Sequence, residues 1–483
     1  MQTLALLIGG EDTAASDGQT FSRNNPMTGE VATIAAAATT DDAIRAVDAA
    51  AAAFPQWSQT GPGERRAKLM AAADALEARS DDITAAMADE TGATAAWAGF
   101  NIMLGTGILR EAAALTTMIR GEIIPSNRPG SLAMGMRQPA GVVLAIAPWN
   151  APIILGVRAV ATPLACGNTV VMKTSEICPR THRLIIEAFQ DAGFPNGVIN
   201  AVSNAPKDAA DIVRKMIEHP AVRRVNFTGS TRVGKVIGEV AGRNLKPAVL
   251  ELGGKAPMII LEDADIDASV AAAAFGAYMN QGQICMSTER LIVHESIADV
   301  FAAKMAEKVK ALTVGDPRAG KTPLGCVIDQ GAAERVESLV RDAVDKGATL
   351  LAGGGRVGTL VEATLLDGVT PSMRIYKEES FGPTASIVRV NSEDEAVRIA
   401  NDTEYGLAAC VFSRDVSRAM RIAKRIESGI CHINGPTVHD EAQMPFGGVK
   451  ESGYGRFGGM AGVAEFTDLR WITIQDGAPH YPI

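Results

Sequence analysis

Apolar and polar positions recur along this chain with two different periods, and the change from one to the other divides it. Residues 40–54 and 63–80 set Ala and Leu at helical spacing against charged neighbours. Residues 80–118 continue that pattern, with Gly92 and Gly105 as points where a helix would break. Between 121 and 138 the period is lost. Pro125, Pro129 and Gly130 stand among short apolar pieces, which predicts a β-excursion. From residue 141 short Val-containing runs alternate with helical patterns: strands at 142–147, 169–173, 198–202 and 222–228, helices at 152–164, 208–219 and 233–241. Strands separated by helices imply a mostly parallel sheet covered on both faces, an α/β fold. Another α/β stretch follows the strand predicted at 257–261 and runs to about residue 446. A last short strand is predicted at 470–475.

Length and composition narrow the function. A chain of 483 residues exceeds one core, so two or three domains are expected. With 47% apolar and 21% charged residues, it is neither disordered nor a small disulfide scaffold. The net charge of -9 argues against general nucleic-acid binding, which is built from Lys and Arg against phosphates. A small-molecule partner is expected instead. The most membrane-like stretch, GVVLAIAPWNAPIILGV at 141–157, is broken by Pro148, Asn150 and Pro152 and falls short of the ~20 clean apolar residues of a span. The start of the sequence lacks the positive region of a secretory signal. Six scattered cysteines suit reduced thiols in a cytoplasm better than a disulfide framework.

GSTRVGKV at 229–236, after a predicted strand, is one residue from a phosphate-binding P-loop. Val236 stands where that loop needs a hydroxyl for Mg²⁺, so a P-loop nucleotide hydrolase is disfavoured. Thr231 replaces the middle glycine of a three-glycine dinucleotide loop. What remains is a strand, a small-residue turn and a helix N-terminus, either an ordinary connection or a seat for phosphate or ribose.

Three further stretches each set one reactive group among glycines and apolar residues. In LELGGK, Glu251 is either a solvated strand end or a base aimed into a cleft. In NQGQICMS, Cys285 is either a small buried hydrophobe or a nucleophile. In APWNAP, Asn150 either caps the helix opened by Pro152 or donates to a developing oxyanion.

Together, PWN at 148–150, GSTxxG at 229–234, ELGGK at 251–255, GQxC at 282–285, EESFGP at 378–383 and PFGG at 445–448 resemble the aldehyde dehydrogenase superfamily, in its motif order and from about residue 20 onward. GQICMSTERLIV at 282–293 and the stretch 431–459 are most similar to the bacterial salicylaldehyde and related aromatic aldehyde dehydrogenases. The resemblance implies a Rossmann-like coenzyme domain (1–119 and 140–252), an α/β catalytic domain (253–450) and a small β oligomerisation element (120–139 and 467–483) in a homodimer or homotetramer. It implies Cys285 as nucleophile, Asn150 and the Cys285 backbone N–H as oxyanion donors, and Glu251 as the base that activates water against a thioester. It implies NAD as cofactor, with Lys173 and Glu176 at the adenosine ribose, Gly229, Ser230 and Val233 at the pyrophosphate and adenine, and Glu379 and Phe381 at the nicotinamide. Ala147, Pro148, Trp149, Ser175, Thr231, Gly234, Leu252 and Gly253 complete that expected cofactor set. Glu176 favours NAD over NADP, because a carboxylate accepts from a 2′-hydroxyl and repels a 2′-phosphate.

An aromatic aldehyde is the expected substrate, salicylaldehyde-like, with vanillin or benzaldehyde as the alternative. Arg158 lies two helical turns beyond Asn150, ~12 Å along one face, and its side chain leans back toward the carbonyl site. It would meet a ring oxygen or else serve a structural ion pair. Trp97 and Ile284 are expected to wall the same pocket, unless Trp97 is simply core. His439, Asp440 and Glu441 are consecutive and cannot easily converge on one ion, so no metal site is expected; their loop is read as edging the substrate tunnel.

Overall fold

The computed structural model describes residues 3–320, 322–477 and 481–483. The expectations for residues 1–2 and 478–480 lie outside them. Two large sheets, each sandwiched between helices, carry the chain, and a third, small sheet stands apart from both.

The first sheet has eight strands in the order Glu11–Thr13, Leu6–Ile8, Ile199–Val202, Thr169–Lys173, Val142–Ile146, Val222–Thr228, Ala248–Glu251, Gly453–Tyr454. Its five central strands are parallel. Strand Val142–Ile146 is buried throughout because its side chains alternate between two cores: Val143 and Ala145 enter one, Val142, Leu144 and Ile146 the other. The chain moves outward from this strand in one direction, then restarts on its other side with Val222–Thr228. That is a doubly wound order with its switch point between these two strands, and the crevice beyond their carboxyl ends is where such sheets hold ligands.

The second sheet orders Thr349–Ala352, Thr364–Asp367, Thr384–Val390, Thr288–His294, Ala256–Ile260, Ala408–Phe412 and Ile430–Ile433, all parallel except the first. It too separates two cores, with Met258 and Ile260 facing one and Ile259 the other. In the third sheet, Thr467–Gln475 pairs along its whole length with Ser131–Pro139, which also pairs with Glu122–Ile124.

The helix expected over 80–118 divides once. Ser80–Thr91 ends at Gly92, which takes the left-handed conformation (φ 72°) that favours glycine. Gly105 does not break the following helix, Ala95–Leu115. A Cβ there would stand 2.8 Å from Cγ2 of Ile153, so this glycine lets the Ala95–Leu115 helix approach the Pro152–Ala165 helix. Among the described residues no helix is long and apolar enough to cross a membrane.

Candidate active site

The turn after strand Val142–Ile146 delivers Pro148, Trp149 and Asn150 to the switch point, and helix Pro152–Ala165 starts immediately behind them. Asn150 does not cap that helix; Ala151 occupies the cap position, without a side-chain bond. The Asn150 amide instead donates to the Gln283 carbonyl at 3.0 Å, which leaves its second N–H free. Its own carbonyl accepts from Trp97 Nε1 at 2.9 Å and from Asn280 Nδ2 at 3.0 Å, so the residue is held from three sides.

Cys285 arrives on a strained loop. Asn280, Gln281 and Gly282 are consecutive left-handed residues, at φ 51°, 55° and 68°. Such backbone costs about 1–3 kcal/mol per non-glycine residue and persists where its surroundings over-determine it. Here Gln281 is gripped by the Cys326 carbonyl and the Gly325 N–H, and Gln283 by the Ile328 N–H. Gly254 packs beneath the loop, where a Cβ would stand 2.2 Å from the Cys285 carbonyl oxygen.

Two cavities meet at this point, and Asn150 and Cys285 line both. The first, about 360 Å³, is also lined by Trp149, Gly229, Ser230, Leu252, Gly253, Glu379 and Phe381. It runs into a groove of about 670 Å³ bordered by Ala147, Lys173, Ser175, Glu176, Gly229, Ser230 and Val233. The second is narrow and apolar, with about 30 Å³ open, so that an aromatic ring would have to displace its side chains; it is walled by Trp97, Phe100, Ile284 and Phe446, with Arg158 and Asp440 in it. Trp97 stacks on Phe100, with centroids 5.5 Å apart, so it both faces the cavity and holds Asn150.

The donor set along the groove fits a dinucleotide. Ser230 caps helix Thr231–Arg243, whose N-terminus opens on the groove. Lys173 Nζ donates to Glu176 at 2.7 Å; burial pushes that carboxyl up, but the ammonium beside it and a backbone N–H together hold it below its ordinary range. Trp149 and Phe381 meet edge to face, 5.8 Å apart. Glu379 accepts from the Gly254 N–H at 2.8 Å, and burial and then the Glu289 carboxylate push its pKa up to about 7.

Three expected site residues lie elsewhere. Thr231 turns away from the groove and donates to the Glu451 carbonyl at 3.1 Å. Gly234 is buried against Leu252, and its lack of a side chain serves that packing; a Cβ would stand 2.3 Å from Leu252 Cδ2. Glu251 borders neither cavity. Its carboxylate lies against Gly447, buried and with both oxygens unpartnered among the described residues. Burial pushes it well above the usual carboxylate range despite Arg456 and Arg158. Burial, then the carboxylates of Glu251, Glu379 and Asp440, push the Cys285 thiol up to about 12.

Other groups at the site escape a reading of the sequence. Glu289 accepts from the Ser380 N–H at 2.9 Å, forms a buried ion pair with Lys255, and so fixes the backbone between Glu379 and Phe381. Arg335 donates to the Ser380 carbonyl at 3.0 Å and lines the first cavity with Asp329. Arg158 pairs with Asp440 at 2.7 Å while its guanidinium lies 4.5 Å from the Phe446 ring centre. The ion pair and the cavity position therefore coexist in one side chain. No group of residues suited to a metal ion occurs among those described.

A model of the aldehyde dehydrogenase family matches residues 13–472. The chain belongs to the aldehyde dehydrogenase family. Among aldehyde dehydrogenases it is 62% identical to a vanillin dehydrogenase from a Pseudomonas species, over 99% of each chain. It is 50% identical to a salicylaldehyde dehydrogenase from Pseudomonas putida, over 97% of each. The crystal structure of a salicylaldehyde dehydrogenase from Pseudomonas putida, complexed with salicylaldehyde, superposes with a TM-score of 0.98 at 48% identity and full coverage of both chains. As an aldehyde dehydrogenase, the protein is an oxidoreductase acting on the aldehyde group, in a family that uses NAD(P).

Proposed function

We propose that this aldehyde dehydrogenase oxidises an aromatic aldehyde to its carboxylic acid with NAD. The observation that carries this reading is the shared wall: Cys285 and Asn150 line both the cavity that leads to the dinucleotide groove and the aromatic cavity behind it. In this reading the Cys285 thiolate adds to the carbonyl carbon. The free N–H of Asn150 and the Cys285 backbone N–H hold the oxyanion, one such donor being worth roughly 3–4 kcal/mol. NAD, when bound, supplies the hydride acceptor. Loss of hydride leaves a Cys285 thioester; Glu251, swung from its place against Gly447 toward Cys285, would take a proton from water as it attacks that thioester and return the proton to the departing sulfur, releasing the acid. Lys173 and Glu176 would hold the adenosine ribose, with Glu176 favouring NAD over NADP; Gly229, Ser230 and Val233 would face the pyrophosphate and adenine, and Glu379 and Phe381 the nicotinamide side.

The aromatic walls of Trp97, Phe100 and Phe446 support a planar substrate, and Arg158 supports an oxygen on its ring, as in salicylaldehyde or vanillin. The relatives' names support the same class. We further propose a homodimer or homotetramer in a reducing cytoplasm, supported by the exposed apolar side chains of the third sheet (Ile124, Leu469 and Trp471) and by six free cysteines.

NADH formation across an aldehyde panel tests the chemistry. Cys285→Ala is expected to lower turnover by about 10⁴-fold or more. Glu251→Gln is expected to turn over slowly with a covalent acyl adduct in the intact mass. Full activity in the first, or no adduct in the second, counts against these roles.

A further inference from the structure

The Arg158–Asp440 pair leaves one atom of each partner unused. Nη2 of Arg158 donates to Oδ2 of Asp440, while Nη1 and Oδ1 are buried without a hydrogen-bond partner among the described residues. The two side chains keep only 6% and 7% of their exposure. A fork-to-fork pair would have satisfied both atoms. A buried donor or acceptor left unpaired is costly, and here one of each sits side by side in a cavity whose other walls are almost wholly apolar.

We propose that Asp440 determines specificity: its Oδ1 accepts a hydrogen bond from a phenolic hydroxyl on the substrate ring, while Arg158 Nη1 donates to the same oxygen. This rests on the reading of the chain as an aromatic aldehyde oxidiser. A phenolic hydroxyl both donates and accepts, so it satisfies the two atoms at once. A methoxy group only accepts and leaves Oδ1 bare. An unsubstituted ring leaves both bare. The substrate class is therefore a hydroxylated benzaldehyde, in which the hydroxyl is free.

The test compares kcat/KM of the wild-type enzyme for benzaldehyde, the three hydroxybenzaldehyde isomers and their methyl ethers. At least one hydroxy isomer is expected to exceed both its own ether and benzaldehyde by about tenfold or more, chiefly through KM. Ratios within one enzyme cancel any general loss of activity, so the same comparison serves the variants. In Arg158→Met/Asp440→Leu, which removes both charges together, the ratio is expected to fall below about threefold. Asp440→Asn keeps the shape and is expected to lower the ratio as well, which preserves the test should the double variant fail to fold. Binding of the same pairs to Cys285→Ala by calorimetry gives the preference without turnover. Equal kcat/KM for hydroxy and methoxy substrates in the wild type, or an unchanged ratio in the variants, overturns the proposal. Absence of NADH with every aromatic aldehyde would instead sink the underlying reading.

Discussion

Burial raises both Glu251 and Cys285, and the Glu251 carboxylate adds to the cost of ionising the thiol. For Glu251 the folded-state pKa lies above the unfolded one. Its contribution to stability is therefore complete below the ordinary carboxylate pKa and is lost as pH rises through the raised value. Glu251→Gln should accordingly stabilise the protein at pH 8 by roughly 0.5–2 kcal/mol and change little near pH 4, while it slows turnover. Thermal melts at the two pH values check the sign. Glu379 offers a second titration. If its carboxylate accepts from the nicotinamide ribose, NAD affinity should weaken as pH falls through about 7, and Glu379→Gln should flatten that dependence. Titration of NAD into Cys285→Ala at several pH values measures it.

The local devices that hold these groups were unevenly legible. Strands such as Thr169–Lys173 and Val222–Thr228 were readable to the residue, because each is a short Val-containing run that ends at a turn before a helix. That Cys285, Asn150 and most of the expected cofactor residues would line one connected set of cavities was legible through motif order. The Lys255–Glu289 pair was not: its partners are 34 residues apart, and each alone is an ordinary charge. Gly105 and Gly234 misled for a related reason. A glycine required for close packing looks, in sequence, like a break or a phosphate contact. Gly254 tests this kind of contact. Gly254→Ala must push the Cys285 loop aside, and a shift of even 1 Å at a reacting group costs about 10²-fold in rate. We expect that loss in kcat alongside a destabilisation of about 1–3 kcal/mol, measured by urea unfolding.

Taken as one body, the protein keeps its two large sheets closed by helices and leaves one face of the small antiparallel sheet with Ile124 at 44%, Leu469 at 65% and Trp471 at 78% exposure. A patch of that kind supports the proposed contact between copies of the chain. Leu469→Asp/Trp471→Asp should shift the assembly to the mass of one chain in light scattering, whereas an unchanged mass would move the interface elsewhere. The shared wall between the two cavities has a further consequence, in the traffic of molecules through the enzyme. A thiol standing between two chambers can be approached from two sides. Iodoacetamide should reach Cys285 even when saturating NAD fills one chamber, and also when an aromatic acid fills the other; only both ligands together should shield it fully.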